Sequence, residues 1–461
     1  MSITDERVEA QARARGVLLA AVLMAVFVVP ISVSGTAVAL ADIAASLGES
    51  AVGQQWALNG FNITFAASTL AWGSLADRIG RWISFQLGAV LFIIGSVVSV
   101  LAESYLALDA ARILAGLGAG AVFSVGSALL SVVYTGQGRA RAFSLLGAMA
   151  GLALAFGPTL CGSVAQVLSW RAIFAIQGGL LVVSFILMLV VRGLLRGEPR
   201  STTPFDWPAA VLFFLSTASL VAALVTGSDT GWVSAPAIGL AAVAILAFAA
   251  LLWRERRAAH PLLDFALIRH PRFFGVTLVV AVGSFTFAAV VTYAPALVQA
   301  IYGFSQAGSG AFVMFMTIPT LAMPLFAGAL VARRIPARRV LTVAVILMVV
   351  GALLVAAGAI LSVWLLAPGM VILGVGFGLH AGLVDNEGLA TAPDEDAGMA
   401  AGWINTMRVG TEAIAVSLFG AIFIPALSGD SPAAAFGTIT LANALLALLL
   451  GAVSIRAMHR G

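Results

Sequence analysis

Gly73-Ser74-Leu75-Ala76-Asp77-Arg78-Ile79-Gly80-Arg81 is a short polar turn set between two apolar runs, 55–76 and 82–102. Each run is long enough to cross a bilayer as a helix, which takes about 20 apolar residues. A connection this short keeps the two helices adjacent and antiparallel. Its glycines permit a tight reversal and close helix approach. Asp77 is a residue type that caps helix starts and accepts from guanidinium groups, so it suits a latch between helices. The arginines place the turn on the cytoplasmic side.

The same alternation continues outward in both directions. The chain has 461 residues, 61% hydrophobic and only 10% charged. Soluble domains carry about 25% charged residues, and this one cannot cover so large an apolar bulk with polar surface. Fourteen membrane helices of about 20 residues need ~280 apolar residues, which matches the supply. The composition therefore excludes a cytosolic enzyme, a nucleic-acid binder and a disordered chain. The predicted spans are 16–40, 55–76, 82–102, 106–134, 142–165, 171–191, 207–226, 233–253, 273–300, 308–332, 340–361, 364–385, 399–425 and 433–456. The first run, with Ala37-Val38-Ala39 resembling a cleavage site, exceeds the 7–15-residue core of a signal peptide and is read as a retained helix.

Charge placement tests this count independently. All 24 basic residues are Arg, and 21 fall in segments on the N-terminal side. Only Arg171 falls on the opposite side, while Arg112 and Arg408 lie within spans. That asymmetry predicts both termini in the cytoplasm. The loop 386–398 carries Glu387, Asp394, Glu395 and Asp396 without Arg, but acidic residues weigh little in the rule. Trp56, Trp82, Trp170, Trp207, Trp232, Trp253 and Trp364 fall near span ends, where the amphipathic ring favours the headgroup layer.

The absence of Lys excludes a P-loop nucleotide site and a Schiff-base cofactor. Cys161 is the single cysteine, and His260, His270, His380 and His459 are too few for a His-rich metal centre, so neither metal nor cofactor is expected. The longest polar interruptions, 192–206 and 254–272, divide the chain into a tail (1–15), six spans (16–192), two inserted spans with their linkers (193–272) and six more spans with a short tail (273–461). Gly328-Ala329-Leu330-Val331-Ala332-Arg333, closing the second span of the last block, repeats Gly73-Ser74-Leu75-Ala76-Asp77-Arg78. Two related six-helix bundles suit a carrier that rocks about a central site.

The stretch Gly73–Arg81 resembles the cytoplasmic loop signature of the major facilitator superfamily. Arg112-Ile113-Leu114-Ala115-Gly116-Leu117-Gly118 resembles its intramembrane arginine motif, with Ala115 where Gln is common. Gly157-Pro158-Thr159-Leu160-Cys161-Gly162 resembles its antiporter motif, with Cys161 replacing Gly. Trp170-Arg171-Ala172-Ile173-Phe174, Asp206-Trp207, His260-Pro261-Leu262-Leu263-Asp264 and Asn405-Thr406-Met407-Arg408 are similar to the fourteen-span drug:proton antiporter branch. The resemblance implies an all-α major facilitator fold of two six-helix bundles plus two extra helices. It also implies a conformational latch at Gly73, Asp77, Arg78, Gly80 and Arg81, and an antiporter motif at Gly157, Pro158 and Gly162. One departure concerns the first span, where that branch usually carries Asp, Thr and Asn and this chain has Ser32, Ser34 and Ala37. The acid most readily assigned to proton coupling in the branch is thus missing.

A charge at mid-bilayer costs about 2.5–3.5 kcal/mol on insertion scales, so buried ionisable residues are functional suspects. Arg408 and Glu412, four residues apart, share a helix face and are expected to pair, as a static bridge or as a switch that takes up and releases a proton. In the switch reading, Glu412 carries the proton or binds a cationic substrate. Asp109 and Arg112 share a face in the same way, as a local pair or as a couple that tunes a cavity carboxylate. Asp42, Asp385 and Glu387 lie near span ends and read as caps or gates; His380, between Gly378 and Gly382, reads as a hydrogen-bonded core residue or a proton relay.

Further cavity candidates are Ser32, Ser34, Asn59, Asn62, Tyr293 and Asn405, with Phe61 and Gln299 at positions that the resemblance assigns to the pathway. The glycine runs 116–120 and 374–378 imitate a dinucleotide fingerprint without its strand, and read as helix packing together with Gly147 and Gly151.

The expected function is secondary active transport: proton-coupled export of small amphipathic or cationic compounds, driven by the proton gradient. A proton symporter importing a metabolite and a non-transport membrane sensor are the alternatives. The expected partners are a small-molecule substrate, protons and lipid, with no nucleic acid or nucleotide, in a monomer. Abundant Arg, Ala and Gly without Lys suit a GC-rich bacterial source and its inner membrane.

Overall fold

The computed structural model describes residues 3–48, 50–195, 200–258, 262–263, 265–427 and 431–460. The first bundle comprises α1 (Ile3–Leu47), α2 (Ala51–Ile79), α3 (Arg81–Leu101), α4 (Tyr105–Val133), α5 (Gly136–Val167) and α6 (Trp170–Val190). The inserted pair is α7 (Trp207–Thr230) and α8 (Ala235–Glu255), followed by the short α9 (Phe265–Arg269). The second bundle comprises α10 (Pro271–Tyr302), α11 (Gln306–Ala332), α12 (Ala337–Leu361), α13 (Val363–His380), α14 (Leu383–Leu389), α15 (Ala397–Leu427) and α16 (Pro432–Arg460). The chain is all-α, and among the described residues thirteen helices are long and apolar enough to cross a membrane. The fourteenth predicted span, within α2, has the length but misses that apolarity because it carries Asn59, Asn62, Thr64, Ser68 and Thr69.

The helix ends follow from local chemistry. Ser50, Ser104 and Ser305 cap α2, α4 and α11 by accepting from the backbone N–H three residues on, and Asp206 does the same for α7. The expected span 364–385 is broken into α13 and α14 at Ala381-Gly382. Gly382 has φ 73°, and a Cβ there would stand 2.0 Å from the Phe143 carbonyl oxygen of α5. Only Gly permits both the left-handed backbone and that approach.

The bundles meet along two seams, α2 with α15 and α5 with α11, and α7 packs against both α2 and α15 beside the first seam. Asp206 and Arg254, at 2.8 and 3.0 Å, tie the inserted helices together at the Arg-rich end. Trp207, Trp253 and Trp364 are exposed at helix ends, whereas Trp170 is buried and donates to Ser46 Oγ at 2.9 Å.

Candidate functional site

Asp77 sits at the Arg-rich end of α2 and is 1% exposed. Its Oδ1 accepts from the Gly398 N–H at 2.8 Å and from Arg81 at 2.9 Å, while Oδ2 accepts from the Met399 N–H at 2.8 Å. Asp77 therefore caps the start of α15, a helix of the opposite bundle. The carboxylate meets both unpaired N–H groups and the positive end of the helix dipole, and charge-assisted bonds of this kind are about twice as strong as neutral ones. Arg81 is also buried and donates to the Asp394 carbonyl of the same opposite bundle. Arg78 instead donates to Ser74 O at 2.7 Å and Thr203 O at 3.1 Å, holding the linker to the inserted helices. Gly80, with φ 104°, turns the chain between α2 and α3.

Glycines bring the seam to backbone contact. A Cβ on Gly73 would lie 2.0 Å from Gly398 O, and one on Gly402 would lie 2.7 Å from Leu70 Cα. Thr69 and Thr406 share a 2.9 Å hydroxyl hydrogen bond one turn further in. Across the second seam, a Cβ on Gly328 would lie 2.0 Å from Ser144 Oγ, one on Gly147 2.8 Å from Ala381 O, and one on Gly151 2.5 Å from Thr320 O. These contacts lie in the Arg-rich half, so the conformation is sealed at that end. The helix α14 joins the seal: the Asn386 carbonyl accepts from Arg139 of α5 at 3.3 Å, and Glu387 pairs with Arg272 at 2.6 Å.

The expected Arg408–Glu412 pair is not formed. Arg408 donates to both carboxylate oxygens of Asp385, at 3.0 and 2.9 Å, and also to Asn405 Oδ1. The break at Gly382 explains the exchange of partners, because it turns α14 back towards α15 and presents Asp385 to the guanidinium. Asp385 itself is 2% exposed. Glu412 has no ion pair or hydrogen bond among the described residues. Its side chain is exposed although densely surrounded by protein. Asn405, Arg408 and Phe419 share its helix face, and Asn405 and Phe419 are fully buried, so this face points inward. Glu412 thus opens onto interior space between the bundles. Tyr293 of α10 lies one turn beyond it, donating to Val416 O at 3.1 Å and stacked on Phe419 at 5.3 Å.

Arg112 is 1% exposed and has no carboxylate partner among the described residues. It donates to Ser32 Oγ at 2.8 Å, Ser32 O at 3.2 Å and Ala57 O at 3.2 Å, with Phe61 and Phe174 rings 4.4 and 5.4 Å away. Asp109, three residues earlier, is not among these partners, and its Oδ1 is buried without one. Ser32 and Phe61, predicted as cavity residues, are both fully buried around Arg112 and do not line open space in this conformation. Neutral acceptors and ring faces compensate the charge where an acid would have been expected.

The remaining candidates separate by burial. His380 is 3% exposed; its Nδ1 meets Phe377 O at 2.5 Å, and its ring packs against Gly283 in the second-bundle core. Asn405 is fully buried, with Nδ2 unpartnered. Asn59 and Asn62 are half-buried, and Gln299 is exposed and donates to Ser309 at 2.8 Å. Ser34 lies against Gly157, where a Cβ would approach its Oγ to 2.7 Å, and α5 continues through Pro158. Gly162 has only an ordinary 3.6 Å neighbour in Val38. His260, Pro261 and Asp264 lie outside the described residues. Among the described residues no cluster of His, Cys, Asp or Glu could hold a metal ion.

Two six-helix bundles sealed at one end, with an acid unpaired among the described residues on the inner face, have the architecture of a membrane transporter. The chain belongs to the Major Facilitator Superfamily, whose family model matches residues 22–416. Its relatives include the multidrug resistance protein Stp of Mycobacterium tuberculosis, 27% identical over 393 residues, covering 85% of this chain and 72% of Stp. The drug efflux pump JefA of the same organism is 29% identical over 390 residues, covering 84% and 76%. The quinolone resistance protein NorB of Staphylococcus aureus is 28% identical over 367 residues, covering 76% of each. Among solved structures, the human organic anion transporter MFSD10 (TETRAN) superposes with a TM-score of 0.68 at 15% identity, over 96% of this chain and 99% of that one. The proton:xylose symporter XylE gives a TM-score of 0.61 at 15% identity, over 95% of each chain. At such identities the solved structures speak to the fold alone.

Proposed function

We propose that this transporter is a proton-coupled antiporter of the bacterial inner membrane, exporting small amphipathic cations, with its Arg-rich end and both termini in the cytoplasm. The observation that carries the reading is Glu412, an accessible carboxylate without an ion pair on the inner face of α15. A lone ionised carboxylate in the bilayer is costly, by about 2.5–3.5 kcal/mol at mid-membrane, and so gains by taking either a proton or a cationic cargo. It cannot hold both, and that competition is the exchange an antiporter needs. Tyr293, about one turn away and only half-buried, offers ring surface to an apolar or cationic body, with Phe419 stacked behind it.

Alternating access follows from the two seams. Opening the Arg-rich end requires α15 to leave Asp77 and α14 to leave Arg139. Such a movement also disturbs Asp385, freeing Arg408 to approach Glu412 one turn along its own helix. An approaching guanidinium favours the ionised acid and therefore release of its proton to the cytoplasm. The relatives named as multidrug resistance and drug efflux proteins support the export direction.

The test uses inverted membrane vesicles that carry the transporter and a pH-sensitive dye, energised to an acid interior and challenged with a panel of lipophilic cations. Cation-induced collapse of the gradient, absent without the protein, is the expected result. Proton movement in the same direction as cargo would replace antiport by symport, and indifference to every compound would remove the coupling.

A further inference from the structure

The repeat between the two bundles differs in one residue that matters electrostatically. Ala332 stands at the position corresponding to Asp77, so the second copy of the turn keeps its arginines and lacks their acid. Around this turn lies a cavity of about 350 Å³, lined by Arg272, Arg334, Arg338, Val331, Glu387 and Met458 among others. That volume is within the range of about 300–1,000 Å³ typical of small-ligand sites. Glu387 offsets Arg272 through their 2.6 Å pair, whereas Arg334 and Arg338 have no ion pair among the described residues. The cavity therefore carries two uncompensated positive charges.

The backbone adds a second observation. Arg334 has φ 66°, the single described non-glycine residue with positive φ. It occupies the left-handed position that ends α11: the Arg334 N–H bonds to Val331 O at 3.0 Å, and the Ile335 N–H to Leu330 O at 3.2 Å. Gly is the usual residue at this position of the motif, because a Cβ is disfavoured there. An arginine kept in a glycine's conformation, with its charge unpaired at the rim of a cavity, indicates that the side chain has a ligand.

We infer that this cavity binds the phosphate headgroup of an anionic phospholipid. The ligand chemistry is a phosphate anion, which guanidinium groups hold through paired N–H donors. The position favours lipid as its source. The cavity lies at the ends of α10, α11, α12 and α16, and α12 continues from it with Val343, Ile346 and Val350 exposed at helical spacing, a surface for an acyl chain. Basic pockets between membrane helices on the cytoplasmic side are suited to such headgroups.

The full-length protein in neutral detergent provides the test, with its thermal unfolding midpoint followed against dihexanoyl phosphatidylglycerol, dihexanoyl phosphatidylcholine and inorganic phosphate at fixed salt. Phosphatidylglycerol alone is expected to raise the midpoint. The half-effective concentration should rise about fivefold for each arginine removed, the equivalent of about 1 kcal/mol per basic residue, in Arg334→Gly and Arg338→Gln. Arg334→Gly also suits the local backbone, so its unliganded midpoint should match or exceed the parent's while its response to phosphatidylglycerol weakens. Equal shifts from inorganic phosphate would assign the cavity to a soluble anion. Equal shifts from phosphatidylcholine, or an undiminished response of Arg334→Gly, would overturn the site.

Discussion

Arg408 is bound to Asp385 through both carboxylate oxygens and leaves Glu412, one turn away on its own helix, without an ion pair. Three charges thus lie in a row from the sealed end towards the interior, two neutralising each other and the third open. Helical spacing alone puts Arg408 within reach of Glu412, and Asp385 reaches it from α14. What decides between them in the sealed conformation is the position of α14. The proposed exchange rests on this competition, and its consequences are measurable at individual residues.

Replacing Glu412 with Gln removes the unpaired charge and keeps the shape. Proton-driven transport should be abolished in vesicles while expression stays normal and thermal stability is equal or higher, since no ion pair is lost. Coupled transport at the parental rate would dismiss Glu412 as the coupling group.

Asp385→Asn should be destabilising by about 3 kcal/mol, at the low end for a broken buried pair because Arg408 keeps some access to the cavity. A double-mutant cycle on thermal stability should give Arg408 and Asp385 a coupling above about 1 kcal/mol, and Arg408 and Glu412 a smaller one. The reverse ranking would mean that the sealed state pairs Arg408 differently.

Much of this arrangement could be read from residue patterns, for identifiable reasons. Span number follows from apolar length and arginine placement, and both are one-dimensional signals. Asp77 could be recognised as a cap and guanidinium acceptor from its residue type and its place in the turn. Its partners, the Gly398 and Met399 N–H groups, lie more than 300 residues away, and no local pattern names them. The i,i+4 rule placed Glu412 beside Arg408 correctly along the helix. It could not foresee that Gly382 would break the preceding span and bring Asp385 into competition. The resemblance assigns Phe61 to the pathway, whereas its ring lies buried against Arg112 in the first-bundle core.

Gly398→Ala tests the seam directly. Its Cβ would lie 2.2 Å from Gly73 O and 2.6 Å from Asp77 Oδ1, so α2 and α15 must separate. Overpacking of this kind costs about 1–3 kcal/mol, paid by the sealed conformation in particular. Cys161 is the only native cysteine and is buried, so a cysteine placed at Thr406 in a Cys161→Ala background reports on the seam. Its labelling from the Arg-rich side should rise when Gly398→Ala is added; unchanged labelling would show that the seam tolerates the methyl group.

Arg112 offers the converse experiment, in which a charge is supplied and not removed. Its Nη1 lies 2.8 Å from Ser32 Oγ, and no acid pairs with it among the described residues. Ser32→Asp would place a carboxylate on that donor, replacing a neutral hydrogen bond by a charge-assisted one. The gain should be about 1 kcal/mol, since bonds to charged groups contribute about 1.5–3 kcal/mol and the larger side chain must be accommodated at a fully buried position. The thermal midpoint should therefore rise in Ser32→Asp and not in Ser32→Asn, which matches the size without the charge. If both variants fall equally, the neutral acceptors already satisfy Arg112 and the site has no need of an anion.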